Sequence, residues 1–224
     1  MDFASVFYDA EHDAVNPEID ASISPLAGDT VDYIHGFKGT LGLEEMRGTA
    51  CLWVPQLASG RQNILDGVHQ HLKDRTNGLD VCPLLPFPAQ DPRLCDNLIT
   101  EYRAEFESKW EIGISSVIYA SENNPLDVYR AILRMRDERA RVFEALGGSQ
   151  IVLSPAGGKC SAIGMLLAAI DGDFPVVYVE ALSHNADYDT IREMAATHPQ
   201  LTHVWLQGEG VCPPQVEQAS TREL

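Results

Sequence analysis

The chain lacks paired cysteines, basic clusters and long apolar runs, and each shortage removes a class of protein. Its five cysteines, Cys51, Cys82, Cys95, Cys160 and Cys212, are odd in number, far apart and never spaced as CxxC. Neither a zinc ribbon nor a disulfide framework is indicated. Only 16 Lys and Arg stand against 33 Asp and Glu, a formal charge of −17 at pH 7. A polyanionic backbone needs a broad basic footprint, so long DNA or RNA is excluded as a partner. Small anions are not excluded, because one helix start and one lysine act locally while distant charges are screened. No apolar stretch approaches the roughly 18 residues of a membrane span. The first residues carry Asp2, Asp9, Glu11 and Asp13 instead of a basic region followed by an apolar one. The expected setting is a reducing cytoplasm, with no membrane partner.

What is present is an ordinary globular balance over 224 residues, 45% hydrophobic and 22% charged, enough for one sizeable α/β domain with an appendage. Residues 1–50 hold ten acids against Lys38 and Arg47, a local net of −8. With turn signals at Asn16-Pro17, Gly28-Asp29 and Gly39 to Gly42, they read as an irregular or hairpin-bearing acidic N-terminal cap. Ser5 to Tyr8 and Val31 to Ile34 alternate and allow short strands.

From Cys51 a regular rhythm begins. Apolar runs at 51–54, 81–85, 116–119, 151–153, 176–179 and 203–206 predict strands. Helical spacing predicts helices over 61–73, 92–109, 125–146, 159–170 and 189–196, with Asn124-Pro125 opening the third and Gly147-Gly148 closing it. Strands alternating with helices imply a Rossmann-like, mostly parallel sheet covered on both faces over 51–206. Residues 207–224, with Pro213-Pro214, read as a flexible tail.

Open α/β sheets bind ligands beyond the carboxyl ends of their strands, so the residues just after each apolar run are the ones to inspect. After the fourth run comes Ser154-Pro-Ala-Gly-Gly-Lys-Cys-Ser161, in which Gly157 and Gly158 permit close approach of an anion and Lys159 opens a helix. It is not a Walker A loop, since Leu153 stands five residues before Gly158 and Cys160 follows Lys159. The competing reading is a tight strand-to-helix turn with glycine present for geometry alone. Other candidates are Asn124 and Asp127 after the third run, Glu180 with Ser183-His184-Asn185 after the fifth, and Arg61 after the first. Asn124 and Asp127 are also what an ordinary helix cap would use, as is Asp91 before Arg93, and Arg61 is equally a plain surface arginine.

The run Ile151-Val-Leu-Ser-Pro-Ala-Gly-Gly-Lys-Cys-Ser-Ala-Ile-Gly-Met-Leu-Leu-Ala-Ala169 resembles the late strand, glycine turn and small-residue helix of the CRISPR-associated Rossmann fold (CARF) family. Ser116 to Tyr129 is similar to that family's preceding strand, loop and helix, and the likeness extends over 115–181. The resemblance implies a homodimer that binds a cyclic oligoadenylate across its two-fold axis, in some members with slow cleavage, and signals in antiviral defence. A separate effector protein is implied too, since no effector domain follows the sensor.

Three other patterns are weaker. Arg130, Arg134, Arg136, Arg139 and Arg141 crowd one predicted helix, as a solvated face balanced by nearby acids or as a contact for the acidic cap. Arg192 to His198 has the spacing of HEPN ribonucleases by chance, and Asp9-Ala-Glu-His-Asp13 carries metal-ligand types without a distant partner. No Gly-x-Ser-x-Gly elbow is present, and neither a metal nor a cofactor is expected. The leading expectation is a sensor for a cyclic or linear nucleotide. The alternatives are a small enzyme hydrolysing or transferring a nucleotide or sugar phosphate, with Asp127 or Glu180 as base, and a protein-interaction subunit with no small ligand.

Overall fold

The computed structural model describes residues 4–8, 25–34, 36–37, 50–76, 78–112, 116–184 and 201–205. Its elements are β1 (Ala4–Tyr8), β2 (Pro25–Tyr33), β3 (Ala50–Pro55), α1 (Gln62–Lys73), β4 (Leu79–Val81), β5 (Leu84–Pro86) and α2 (Leu94–Glu101). A π-helical turn (Glu105–Lys109) precedes β6 (Ile118–Ala120), α3 (Pro125–Phe143), a 3-10 turn (Glu144–Leu146), β7 (Ser149–Ser154), α4 (Lys159–Gly172), β8 (Val177–His184) and β9 (Leu201–Trp205). Among the described residues no helix is long and apolar enough to cross a membrane.

The fold is mixed α/β with parallel strands at its centre. β3 pairs in parallel with β4 on one side and with β7 on the other, where Ala50 to Pro55 face Ser149 to Ser154. A parallel bridge from Gln56 to Leu84 carries the first pairing on to β5, and β5 pairs with β6. On the far side Leu153 bridges Val176 and donates its N–H to Pro175 O at 3.0 Å, bringing β8 beside β7. β8 then takes β2 antiparallel. The resulting order is β6, β4 with β5, β3, β7, β8, β2. β1 and β9 pair with each other, antiparallel. Strand pairing therefore crosses position 50, since β2 lies in the acidic N-terminal stretch and β8 in the α/β region.

Side-chain alternation on the central strands produces two cores. Cys51, Trp53 and Val152 face α1 and α2, with Leu65, Val68, Leu72, Leu98, Tyr102 and Trp110. Leu52, Val54, Ile151 and Leu153 face α3 and α4, with Val128, Ile132, Met165, Ala168 and Ala169. Strands buried on both faces read as continuous apolar runs, which is why 51–54 and 151–153 stand out in the sequence.

Several boundaries differ from the sequence expectation. The second run splits into β4 and β5 around Cys82-Pro83, because Pro83 has no N–H for a ladder. The helix expected over 92–109 breaks at Tyr102, and its last turn widens so that Trp110 N–H donates to Glu105 O at 2.7 Å. α3 ends at Phe143 and tightens into the 3-10 turn, and Gly147 and Gly148 then take φ of +89° and +95°. β8 reaches His184 instead of ending at 179, because β2 extends alongside it. The helix expected over 189–196, the Arg192 to His198 pair, the Asp9 to Asp13 group and the tail lie outside the described residues.

Candidate functional site

β3 is the first of the central parallel strands in the chain, and the path from it runs one way to β4, β5 and β6 before returning through α3 to β7 on its other side. The winding direction thus reverses between β3 and β7. Beyond the carboxyl ends of those two strands the connections diverge to opposite faces of the sheet, the place where a ligand crevice usually forms in such folds. Two turns border it, Gln56 to Arg61 after β3 and Ser154 to Lys159 after β7.

The second turn is anchored from below. Ser154 is 2% exposed; its Oγ accepts the indole N–H of Trp53 at 2.9 Å and donates to Val177 O at 2.8 Å. One hydroxyl thereby ties β3, β7 and β8 laterally, so Ser154 brings no side-chain group to the crevice, and a ligand contact there would be through its main chain. Gln56 N–H donates to Ser154 O at 2.9 Å, and its side-chain Nε2 donates to Gly158 O at 3.1 Å. A Cβ at Gly157 would lie 2.7 Å from Gln56 Nε2, so Gly157 is needed where the buried glutamine crosses beneath the turn. Gln56 Oε1 is buried with no hydrogen-bond partner.

Gly158 is the residue before α4 and has φ −55° and ψ 143°, a conformation open to any residue, so its glycine character is not a backbone requirement. No side chain caps α4, and its first turn contains no acid. Lys159, exposed, is its first residue. An uncapped helix start with a lysine and without carboxylates is an electropositive corner. Ser161 is 6% exposed, and its Oγ makes a long contact, 3.4 Å, to Glu122 O in the loop after β6.

The turn after β3 is organised differently. Ser59 Oγ, Gly60 N–H and Gln62 Nε2 donate to the Glu101 carboxylate of α2 at 2.8, 2.8 and 2.6 Å. Gly60 adopts φ +71° in this turn, and Tyr102 OH donates to Ala58 O at 2.7 Å. Burial, reinforced by the neighbouring Glu101, pushes the Tyr102 hydroxyl far above its ordinary pKa. Arg61, half-buried, precedes α1 without capping it through its side chain. The turn before α1 thus already holds an anion, supplied by α2.

After β6, Asn124 Oδ1 accepts Leu126 N–H at 3.2 Å as the cap of α3, and Asp127 Oδ2 accepts Ser121 N–H at 2.7 Å. Both serve the loop-to-helix junction. Glu122, a carboxylate in the same loop between Ser121 and Asn124, is 7% exposed. Its Oε2 accepts Gln90 N–H at 2.7 Å, and its own N–H donates to Pro88 O at 3.1 Å, joining the loops beyond β5 and β6. The signal available for it was its position, three residues past the apolar run 116–119. Asp91 Oδ1 accepts Arg93 N–H at 2.9 Å, the local turn expected of it.

Gly157, Gly158, Lys159 and Ser161 are therefore brought together with the main chain of Ser154, and Gln56 joins them from β3. Arg61 belongs to the adjoining turn; Asn124 and Asp127 belong to the loop that Ser161 reaches through Glu122. Glu180 lies on β8, with its side chain outside the described residues, as are those of Ser183 and His184; Asn185 is outside altogether. Among the described residues no group of His, Cys, Asp and Glu could hold a metal ion. Burial pushes the Cys51 thiol up to about 12 and that of Cys82 to about 11, the opposite of a reactive cysteine.

The arginines of α3 are engaged locally where contacts are defined. Arg139 donates to Asp80 and Ser149 at 2.6 Å each and lies 4.1 Å over the Phe143 ring, while Arg136 pairs with Asp137. No family model matches the chain, and no curated protein or solved structure matches it.

Proposed function

We propose that this chain is a Rossmann-like sensor domain that binds a nucleotide or small cyclic oligonucleotide in the crevice between the turns after β3 and β7. The observation that carries the reading is the uncapped, acid-free start of α4, with Lys159 at its first position, at the point where the winding of the sheet reverses. A phosphate is the group such a corner accepts. The buried, unpartnered Gln56 Oε1 beneath the same turn needs a donor, and a ribose hydroxyl or an exocyclic amine supplies one on the same ligand. A protein this acidic holds a small anion only where the field is locally reversed, which restricts the site to this corner. Two copies related by a two-fold axis would suit a symmetric cyclic ligand; that, with an antiviral signalling role and a separate effector, rests on the resemblance of residues 115–181 alone. The enzymatic reading draws less support, because Asp127, one of its two candidate bases, already accepts Ser121 N–H, and the side chain of the other, Glu180, lies outside the described residues.

Native mass spectrometry of the protein purified from its host should reveal a co-purifying nucleotide. In calorimetry with that nucleotide, Lys159→Ala is expected to weaken binding by about 1.5–3 kcal/mol, the range for a hydrogen bond to a charged group. Gly158→Val is expected to fold normally, since φ −55° suits a β-branched residue, and to lose binding by obstructing the phosphate. Full affinity in both variants refutes the site. A monomer by light scattering, with and without ligand, refutes the two-fold arrangement and leaves the turn standing.

A further inference from the structure

Gln56 holds both ends of the turn after β7. Its N–H donates to Ser154 O at 2.9 Å, and its side-chain Nε2 donates to Gly158 O at 3.1 Å. Gly158 O also accepts Ala162 N–H at 3.0 Å, the first intrahelical bond of α4. One carbonyl oxygen, with its two lone pairs, thus takes one donor from the helix and one from the end of β3. A carbonyl cannot donate, so the nitrogen end of the carboxamide has to face it, and Oε1 is left inside, buried and without a partner. On its other side Gln56 bridges Leu84 of β5, and only 5% of the residue is exposed. The glutamine is therefore seated between β5 and β7 before its side chain reaches the turn.

Gly157 is the other half of this arrangement. Its φ is not in the left-handed region, so its backbone admits any residue, and the three atoms nearest to a Cβ built there, at 2.7, 2.9 and 3.1 Å, all belong to Gln56. Glycine at 157 answers to the glutamine beneath it. Resting on the reading of the α4 start as a phosphate corner, we propose that Gln56 is the positioning residue of that corner. Its carboxamide, under Gly157 and bonded to Gly158 O, fixes the first turn of α4 relative to β3 and β7 before any ligand arrives. Groups already in place need no ordering when an anion binds, which strengthens binding without a new contact. In this role Gln56 acts through the turn.

Inorganic sulfate, a dianion at every pH used, is the probe, followed through the Gly158 and Lys159 amide resonances of 15N-labelled protein. The wild type should show saturable shifts at both. Gln56→Glu keeps the shape, loses the donor to Gly158 O and, when ionised, adds a negative charge beneath the corner. Burial raises the pKa of that carboxyl, and once protonated it donates again. Compared with the wild type at the same pH, it should bind sulfate at least about tenfold more weakly at about pH 7.5, a deficit that shrinks at least about threefold by about pH 5.5. Gln56→Met, neutral and unable to donate, should bind at least about threefold more weakly at both pH values, and it carries the binding test if Gln56→Glu does not fold. The steric half is read without ligand. Gly157→Ala should lower the melting temperature by at least about 3 °C in the wild-type background and by less than about half as much in Gln56→Ala. Full sulfate affinity in folded Gln56→Met, a deficit in Gln56→Glu that does not shrink at the lower pH, or an undiminished Gly157→Ala penalty in Gln56→Ala overturns the positioning role. Absence of sulfate shifts in the wild type, with the steric coupling intact, overturns instead the phosphate corner on which the role rests.

Discussion

Replacing Gly164 by alanine is a one-carbon change that the packing of α3 against α4 should not absorb. A Cβ built there would lie 2.3 Å from Pro125 O, 2.7 Å from Val128 Cβ and 3.1 Å from Pro125 C. Ordinary non-bonded separations are about 3.5 Å or more, so the nearest contact is short by roughly an ångström. Two of the atoms struck are main chain, in the first turn of α3, which Asn124 caps; rotating a side chain does not relieve them. Overpacking a filled core costs about 1–3 kcal/mol, and a backbone obstacle puts this case near the upper figure. Alanine in place of glycine inside a helix returns about 1 kcal/mol. The net expectation is a loss of about 2 kcal/mol in urea unfolding at constant slope. Gly67, in the interior of α1, is the internal control: its Cβ would meet only Val179 Cγ2, at an ordinary 3.8 Å. There the helix gain stands alone, and Gly67→Ala should stabilise by about 0.5–1 kcal/mol. If Gly164→Ala is as stable as the wild type, or if both substitutions move stability in the same direction, the packing argument fails.

Ser154→Ala leaves the buried Trp53 indole without its acceptor and should cost about 1–3 kcal/mol in the same assay; a loss below about 0.5 kcal/mol would mean the serine tie is not structural. His69 has its pKa lowered, chiefly by burial, so below its ordinary value of about 6.5 the unfolded chain binds the extra proton first. Its contribution is therefore present above that pH and declines as pH falls, until the folded-state pKa is passed. His69→Phe should accordingly show a smaller stability loss between pH 7.5 and 5.5 than the wild type, measured by melting at each pH. Identical pH slopes would remove His69 from the account.

The strand-helix alternation was legible because strands covered on both faces produce short unbroken apolar runs, and 51–54 and 151–153 fall within β3 and β7. Asn124-Pro125 was equally readable as a helix start, since a cap needs only local residues. What escaped was set by long-range partners. Ser154 looks like a phosphate contact within its own turn, and its hydroxyl is instead committed to Trp53, 101 residues away. Gly157 looks like a glycine kept open for a ligand, and the space beside it is taken by Gln56. The π-helical turn could not be read either, because Leu98, Tyr102 and Phe106 keep ordinary α spacing and only the Trp110 to Glu105 hydrogen bond reveals the extra residue. The alternation at Val31 to Ile34 overlaps the end of β2, which stops at Tyr33, but nothing local names β8 as its neighbour.

The Glu101 carboxylate in the turn before α1 bears on which ligands the proposed site would admit. Dinucleotide-binding sheets commonly seat a pyrophosphate on the first helix start after the first strand. Here Ser59, Gly60 and Gln62 already donate to a resident carboxylate. An incoming phosphate would have to displace it and strand a negative charge beside a second one. If the proposed α4 corner takes a phosphate, the Glu101 carboxylate occupying the neighbouring turn would favour ligands that present a single phosphate over nicotinamide and flavin dinucleotides.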